Sequence, residues 1–247
     1  MPEPHLRLEI ASGSDVGRVR ENNEDRLLVA PRVLPGHGDL LCVADGMGGH
    51  VAGEEAADEV VEALGRFAQA VESLGADPAA RAQTRVVEDL MVEAHEAILE
   101  IGRQTPEKAG MGTTGVAALV VEDRLQVLHS GDSRAYLLRG VTLDQVTQDH
   151  VVIRFGNRFL SAHVGMPFGL ILDRRERHLI PGDRLLLCSD GLTDMVQPEL
   201  FGQLLHDAQS PQAAVDSLIK AALEAGGVDN VSCVVAFVYE AAEVQGE

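Results

Sequence analysis

Three apolar runs of this chain each end in an aspartate beside a glycine. Leu40 to Ala44 runs into Asp45-Gly46, Leu185 to Ser189 into Asp190-Gly191, and Leu125 to Gly131 into Asp132. Short apolar runs bounded in this way read as buried strands. Asp229 stands just ahead of a further strand, Cys233 to Val238, and Glu24-Asp25 opens another, Arg26 to Ala30. One aspartate beside a glycine is an ordinary turn. Five strand ends that carry carboxylates in one chain are a pattern, because strands that share a sheet bring their terminal carboxylates to one end of it. Each unscreened pair about 4 Å apart would then cost on the order of 4 kcal/mol at an effective dielectric of about 20. Protonation relieves one pair, so a larger cluster calls for bound cations. With oxygen donors and no convergent Cys or His, the ions expected are hard ones, Mg²⁺ or Mn²⁺, rather than Zn²⁺. Gly46 lets a backbone carbonyl approach such an ion closely.

The rest of the chain supplies strands in runs and helices in pairs. Leu6, Leu8 and Ile10 alternate with polar residues as a half-buried strand does. Ala56, Val60, Leu64, Phe67 and Val71 fall at spacings of three and four, as do Val86, Leu90, Ala94, Ile98 and Ile101, which predicts two amphipathic helices. From Thr113 the period drops to two: Thr114, Val116, Ala118 and Val120 share a face, and Leu125, Val127, Tyr136 and Leu138 continue as a meander. A Pro-Gly-Asp turn at 181–183 leads into the strand Arg184 to Ser189, with helices from about 192 and 211 before the last strand. The pattern is α+β, with helices packed outside antiparallel sheets. There is no repeat, low-complexity tract or long linker, so residues 1–247 are expected to form a single domain with its core at about 6–239.

Composition excludes several classes. With 39 Asp plus Glu against 20 Lys plus Arg, the formal net charge is −19, and such a surface repels a phosphate backbone, so no nucleic acid is expected as a partner. No window approaches eighteen consecutive apolar residues, and the N-terminus lacks the basic and apolar regions of a signal peptide. No membrane association is expected, and a cytoplasmic location is. Cys42, Cys188 and Cys233 are three in number with no C-x-x-C pair, and each sits in an apolar run. They are expected as buried core residues rather than disulfides or zinc ligands.

The polar motifs occur in a telling order. Ser14-Asp15-Val16-Gly17 leads to Arg20 and Asn23-Glu24-Asp25; then come Asp45-Gly46-Met47-Gly48-Gly49-His50, Gly110-Met111-Gly112-Thr113-Thr114, Gly131-Asp132-Ser133-Arg134, Ser189-Asp190-Gly191-Leu192-Thr193-Asp194 and Asp229-Asn230-Val231-Ser232. The set, spanning residues 12 to 238, resembles the PPM-type (type 2C) metal-dependent Ser/Thr protein phosphatases, bacterial branch. The resemblance implies a four-layer αββα sandwich, two antiparallel sheets flanked by helix pairs, with metals in a cleft at one end. It implies that Asp45 bridges two ions, that Gly46 supplies a carbonyl ligand, that Asp190 and Asp229 hold one ion and Glu24 the other. Asp132 and Asp194 match the acids that, with Asp190, form a weaker third site. Asp25 matches a residue that orients metal-bound water, and Arg20 the guanidinium whose planar fork takes two phosphate oxygens. Without the resemblance, Arg20 would read as a surface residue paired with Glu21 or Glu24.

The chemistry implied is hydrolysis of phosphoserine and phosphothreonine monoesters by in-line attack of a hydroxide bridging two Mn²⁺ or Mg²⁺ ions, with the ions and Arg20 neutralising the phosphoryl oxygens. The partners implied are phosphorylated proteins, substrates of or including a bacterial Ser/Thr kinase, met by a monomeric enzyme. Gly110 to Gly115 also fits G-x-G-x-x-G, but a helical pattern precedes it and a strand pattern follows, the reverse of a dinucleotide loop. Met47 stands where eukaryotic members carry a His, which leaves the leaving-group proton donor open; His50 lies near, and a structural role is the simpler one for it. Between Asp149-His150 and Asp190 the flap expected beside the cleft is shortened, with Asn157-Arg158-Phe159-Leu160 following almost at once. A second reading, a catalytically weak binding or scaffold module, stays open on that ground.

Overall fold

The computed structural model describes residues 6–32, 38–47, 51–74 and 79–241, residue 51 by its backbone alone. The motif residues Gly48, Gly49 and His50 lie outside them. In chain order the strands are β1 (Leu6–Asp15), β2 (Asp25–Ala30) and β3 (Asp39–Met47), followed by helices α1 (Val51–Gly65), α2 (Phe67–Glu72) and α3 (Ala80–Gln104). Then come β4 (Gly112–Thr113), β5 (Gly115–Val121), β6 (Arg124–Ser130), β7 (Arg134–Arg139), β8 (Thr142–Gln145), β9 (Val151–Arg154), β10 (Asn157–Leu160), β11 (Asp173–His178) and β12 (Arg184–Cys188). The chain closes with α4 (Asp190–Thr193), α5 (Pro198–Asp207), α6 (Pro211–Glu224) and β13 (Val231–Glu240).

The strands form two main antiparallel sheets. One runs β1-β13-β12-β7-β8; the other runs β11-β6-β5-β3-β2, with β4 paired to β3. The buried side chains fall into three clusters that follow the pleat. On β5, Val116, Ala118 and Val120 join Leu185, Leu187, Val234 and Ala236 of the other sheet. Its alternate residues Ala117, Leu119 and Val121 join Val60, Leu64, Met91 and Ile98 of α1 and α3. On the opposite sheet Leu186, Cys233 and Val235 pack with Phe201, Val215 and Leu218 of α5 and α6. A strand buried on both faces reads as a continuous apolar run, which is what β5 shows. All three cysteines are free and buried.

Three expectations are corrected. The strands from Thr113 onward do not form one meander: β5 and β6 belong to one sheet and β7 to the other, so the chain crosses between sheets at Gly131-Asp132-Ser133. The acidic residues therefore do not come from the end of one sheet. The first helical stretch is two helices, α1 and α2, parted at Arg66 beside Gly65, and the helix expected from about 192 is the single turn α4 followed by α5, which begins at Pro198 as proline at a first helical turn favours. No helix among the described residues is long and apolar enough to cross a membrane.

Candidate functional site

A cleft of about 420 Å³ is lined by Arg20, Glu24, Asp45, Gly46, Met47, Thr114, Asp132, Arg158, Leu160, Asp190, Asp194, Asp229 and Asn230. The structure thus brings together from both sheets every residue expected at the site except Asp25, which lies behind the cleft wall, 4% exposed. Asp45 lies near the end of β3, directly opposite Asp25, the first residue of β2. Asp190 opens α4 straight after β12, and Asp194 closes it, its N–H donating to the Asp190 carbonyl at 2.7 Å. Asp229 immediately precedes β13, and Asp132 sits on the crossover turn between β6 and β7.

Asp45, Glu24 and Asp25 are held by specific bonds. Thr114 Oγ1 accepts from the Asp45 N–H at 3.0 Å, the Thr114 N–H donates to the Asp45 carbonyl at 2.8 Å, and the Thr114 and Ser133 hydroxyls lie 2.6 Å apart. Asn230 Oδ1 accepts from the Glu24 N–H at 2.9 Å, while its Nδ2 donates to the carbonyls of Val16 and Asn22, both at 2.9 Å. Ser189 Oγ donates to Asp25 Oδ2 at 2.8 Å and accepts from the Ser232 N–H at 3.0 Å. Gly46 and Gly53 let the first turn of α1 lie against this corner. A Cβ on Gly46 would fall 2.1 Å from the Gly53 carbonyl oxygen, and one on Gly53 1.9 Å from Glu24 Oε2.

The electrostatics are those of an acid cluster with too few cations. Six carboxylates line the cleft against the guanidinium groups of Arg20 and Arg158. Burial, then the charges of Asp132, Asp194, Asp229 and Asp25, push the Asp190 carboxyl up to about 7. Burial raises Asp25 to about 6 against the lowering effect of its Ser232 and Ser189 hydrogen bonds, with Asp229 adding to the rise. Asp45 is driven well above the ordinary carboxylate range by burial and by Asp25, Asp190, Asp229 and Asp132. Asp25 Oδ1 is buried with no hydrogen-bond partner among the described residues. A lining whose side-chain ligands are carboxylates, an orphaned buried carboxylate oxygen and an excess of negative charge suit a hard divalent cation.

Two of the charged partners differ from what the residues alone suggested. The hydrogen bond that Arg20 makes among the described residues is to neither Glu21 nor Glu24: its Nη2 donates to Asp229 Oδ2 at 2.7 Å. Arg158, given no role from the sequence, comes from the β9–β10 hairpin and places Nη2 3.2 Å from Asp132 Oδ2 and 2.7 Å from Asp149 Oδ2, and Nη1 3.5 Å from Asp194 Oδ1. A two-stranded hairpin has no periodic signal that aims one arginine at three remote acids. Asn230, Thr114 and Ser189 were legible as motif members but not as the groups that hold Glu24, Asp45 and Asp25.

The chain as a whole is similar to known proteins. The family model described as protein phosphatase 2C matches residues 13–225. The serine/threonine protein phosphatase PstP of Mycobacterium tuberculosis is 38% identical over 95% of this chain, and the chain spans about half of that protein, 46% of its length. The serine/threonine phosphatase stp of Listeria welshimeri is 32% identical, with 89% of this chain and 91% of the relative covered. The crystal structure of the PstP catalytic domain, in complex with 2 manganese ions, superposes with a TM-score of 0.79 at 34% identity, covering 95% of this chain and 99% of that one.

Proposed function

The chain belongs to the protein phosphatase 2C family, and from that premise we propose that it is a metal-dependent phosphatase of phosphoserine and phosphothreonine in proteins, opposing a bacterial Ser/Thr kinase. The observation that carries the reading is the convergence of Glu24, Asp45, Asp132, Asp190, Asp194 and Asp229 with Arg20 on one cleft. In this reading Glu24, Asp45, the Gly46 carbonyl, Asp190 and Asp229 hold two ions, Mn²⁺ or Mg²⁺, and Asp132 and Asp194 with Asp190 hold a weaker third. The manganese bound by the mycobacterial relative supports the choice of ion. When bound, such ions acidify water to near neutral pH and neutralise phosphoryl oxygens.

The chain's own residues do the remaining work. Arg20, half-exposed at the rim, exchanges its bond to Asp229 for two phosphoryl oxygens of the substrate. Asp25, its Oδ2 fixed by Ser189 and its Oδ1 without a partner among the described residues, would orient water held by the ions. Met47, at the cleft edge, has no proton to give a leaving group. The three buried clusters support a four-layer αββα sandwich in one domain, residues 1–247 with its core at about 6–239. The β9–β10 hairpin serves as the shortened flap, and its Arg158 and Leu160 border the substrate groove. Phosphorylated proteins are the substrates, met by a monomer. A scaffold has no use for so costly a cluster, which weighs against the binding-module reading.

Hydrolysis of a small aryl phosphate and of a phosphothreonine peptide, with chelator and with added Mn²⁺, tests the proposal. Turnover should require the ion; full activity in chelator would overturn it.

A further inference from the structure

His129 in β6, His150 and Asp173 at the start of β11 bring one ligand atom each within 4.8 Å of one another. Their rings argue against a metal cage. His129 and His150 are stacked, with centroids 4.6 Å apart and planes only 15° from parallel. An imidazole lone pair lies in its ring plane, and two nearly parallel stacked planes do not meet at a metal bond length of about 2 Å. The hydrogen bonds show a different task. The Gly131 N–H donates to His150 Nδ1 at 3.2 Å, and the His150 N–H donates to the Gly131 carbonyl at 2.9 Å. One residue therefore holds both the N–H and the carbonyl of Gly131. A ring nitrogen that accepts from an amide carries no proton, so the neutral ring is protonated at Nε2, the atom 3.8 Å from Asp173 Oδ2. Below it, the 129 ring is anchored by Nε2 to the Gln148 carbonyl at 2.9 Å.

The residue before His150 grips the other end of the same turn. Arg134 Nε and Nη2 donate to Asp149 Oδ1 and Oδ2 at 2.8 and 2.7 Å. Consecutive residues thus clamp the first and last members of Gly131-Asp132-Ser133-Arg134. Gly131 has φ +114° and a Cβ there would meet Thr114 at 2.7 Å, so the turn demands glycine. Glycine is also the residue least able to hold its own conformation. We propose that His150 is a positioning residue which, by holding Gly131 at both N–H and carbonyl, fixes where the Asp132 carboxylate stands in the acidic cluster.

The inference rests on the phosphatase reading for its turnover readout but not for its binding readout. The test compares His150→Phe, which keeps a flat ring for His129 but offers Gly131 no acceptor, with His150→Asn, whose Oδ1 stands where Nδ1 does. Mn²⁺ binding is followed by the electron paramagnetic resonance of the free ion, and kcat on a phosphothreonine peptide in parallel. A lost outer partner of a metal-binding group typically costs about tenfold or more. His150→Phe should therefore weaken the loosest Mn²⁺ site and lower kcat by about that factor, while His150→Asn stays within about threefold of the parent. In an Asp132→Ala background His150→Phe should add less than about twofold. Equal losses in the two His150 variants, or an undiminished loss in the Asp132→Ala background, would overturn the proposal. If His150→Phe does not fold, hydrogen exchange at the Gly131 amide decides: slow exchange in the parent and His150→Asn supports the clamp, and rapid exchange in the parent refutes it. A parent that binds Mn²⁺ yet hydrolyses no phosphopeptide would sink the phosphatase reading alone, since the binding isotherms still report on Asp132.

Discussion

In the absence of divalent ions, Asp190→Asn should make this protein more stable at pH 8. Asp190 is raised from 3.8 to about 7, by burial first and then by its acidic neighbours. The folded form therefore holds this proton more tightly than the unfolded chain does. Its contribution is intact below about pH 4 and is lost as the pH climbs through about 7. A rise of about three units at about 1.4 kcal/mol each sets a ceiling of roughly 4 kcal/mol. Contact with cleft water and proton sharing with Asp25 and Asp45 lower this to roughly 2 kcal/mol. For a chain of this length that is a Tm increase of about 4–8 °C. Thermal melts followed by circular dichroism in chelator should show that gap at pH 8 and a smaller one at pH 5. Saturating Mn²⁺ should reverse the order, because the parent carries one more negative charge for the ion and gains more from binding it. A Tm for Asp190→Asn equal to or below the parent's at pH 8 in chelator, or a gap that does not change with pH, would refute the reasoning.

Further outcomes follow from the same geometry. Arg20→Ala leaves the carboxylates in place and removes a charge-assisted phosphate contact, so steady-state kinetics should show KM up by roughly tenfold with kcat little changed. Asn230→Ala strands the Glu24 N–H and two backbone carbonyls; urea unfolding should report a loss of about 2–3 kcal/mol, and turnover should fall with it. Asp132→Ala should leave two tightly bound ions detectable by calorimetry while phosphopeptide turnover drops by more than about tenfold.

What the residues disclosed by themselves was chemistry and local order. The strand runs around Leu40 to Ala44 and Leu185 to Ser189, the helical spacing from Val86 to Ile101 and the burial of three cysteines all follow from short-range periodicity and hydropathy, which a one-dimensional string retains. The acids at Asp45, Asp132 and Asp190 stood out because they interrupt those patterns beside glycine, and Asp229 because it stands just ahead of the last strand. Tertiary structure alone decided how they meet. The β6–β7 connection looks like one more turn in a meander, yet it carries the chain from one sheet to the other and puts Asp132 across from Asp190. Arg158 reaches three acids from a hairpin with no periodic signature. The reason is physical: periodicity reports which face of an element is apolar, whereas the partner of a charge is set by contacts between residues far apart in the chain, such as Glu24 with Asn230 and Asp25 with Ser189.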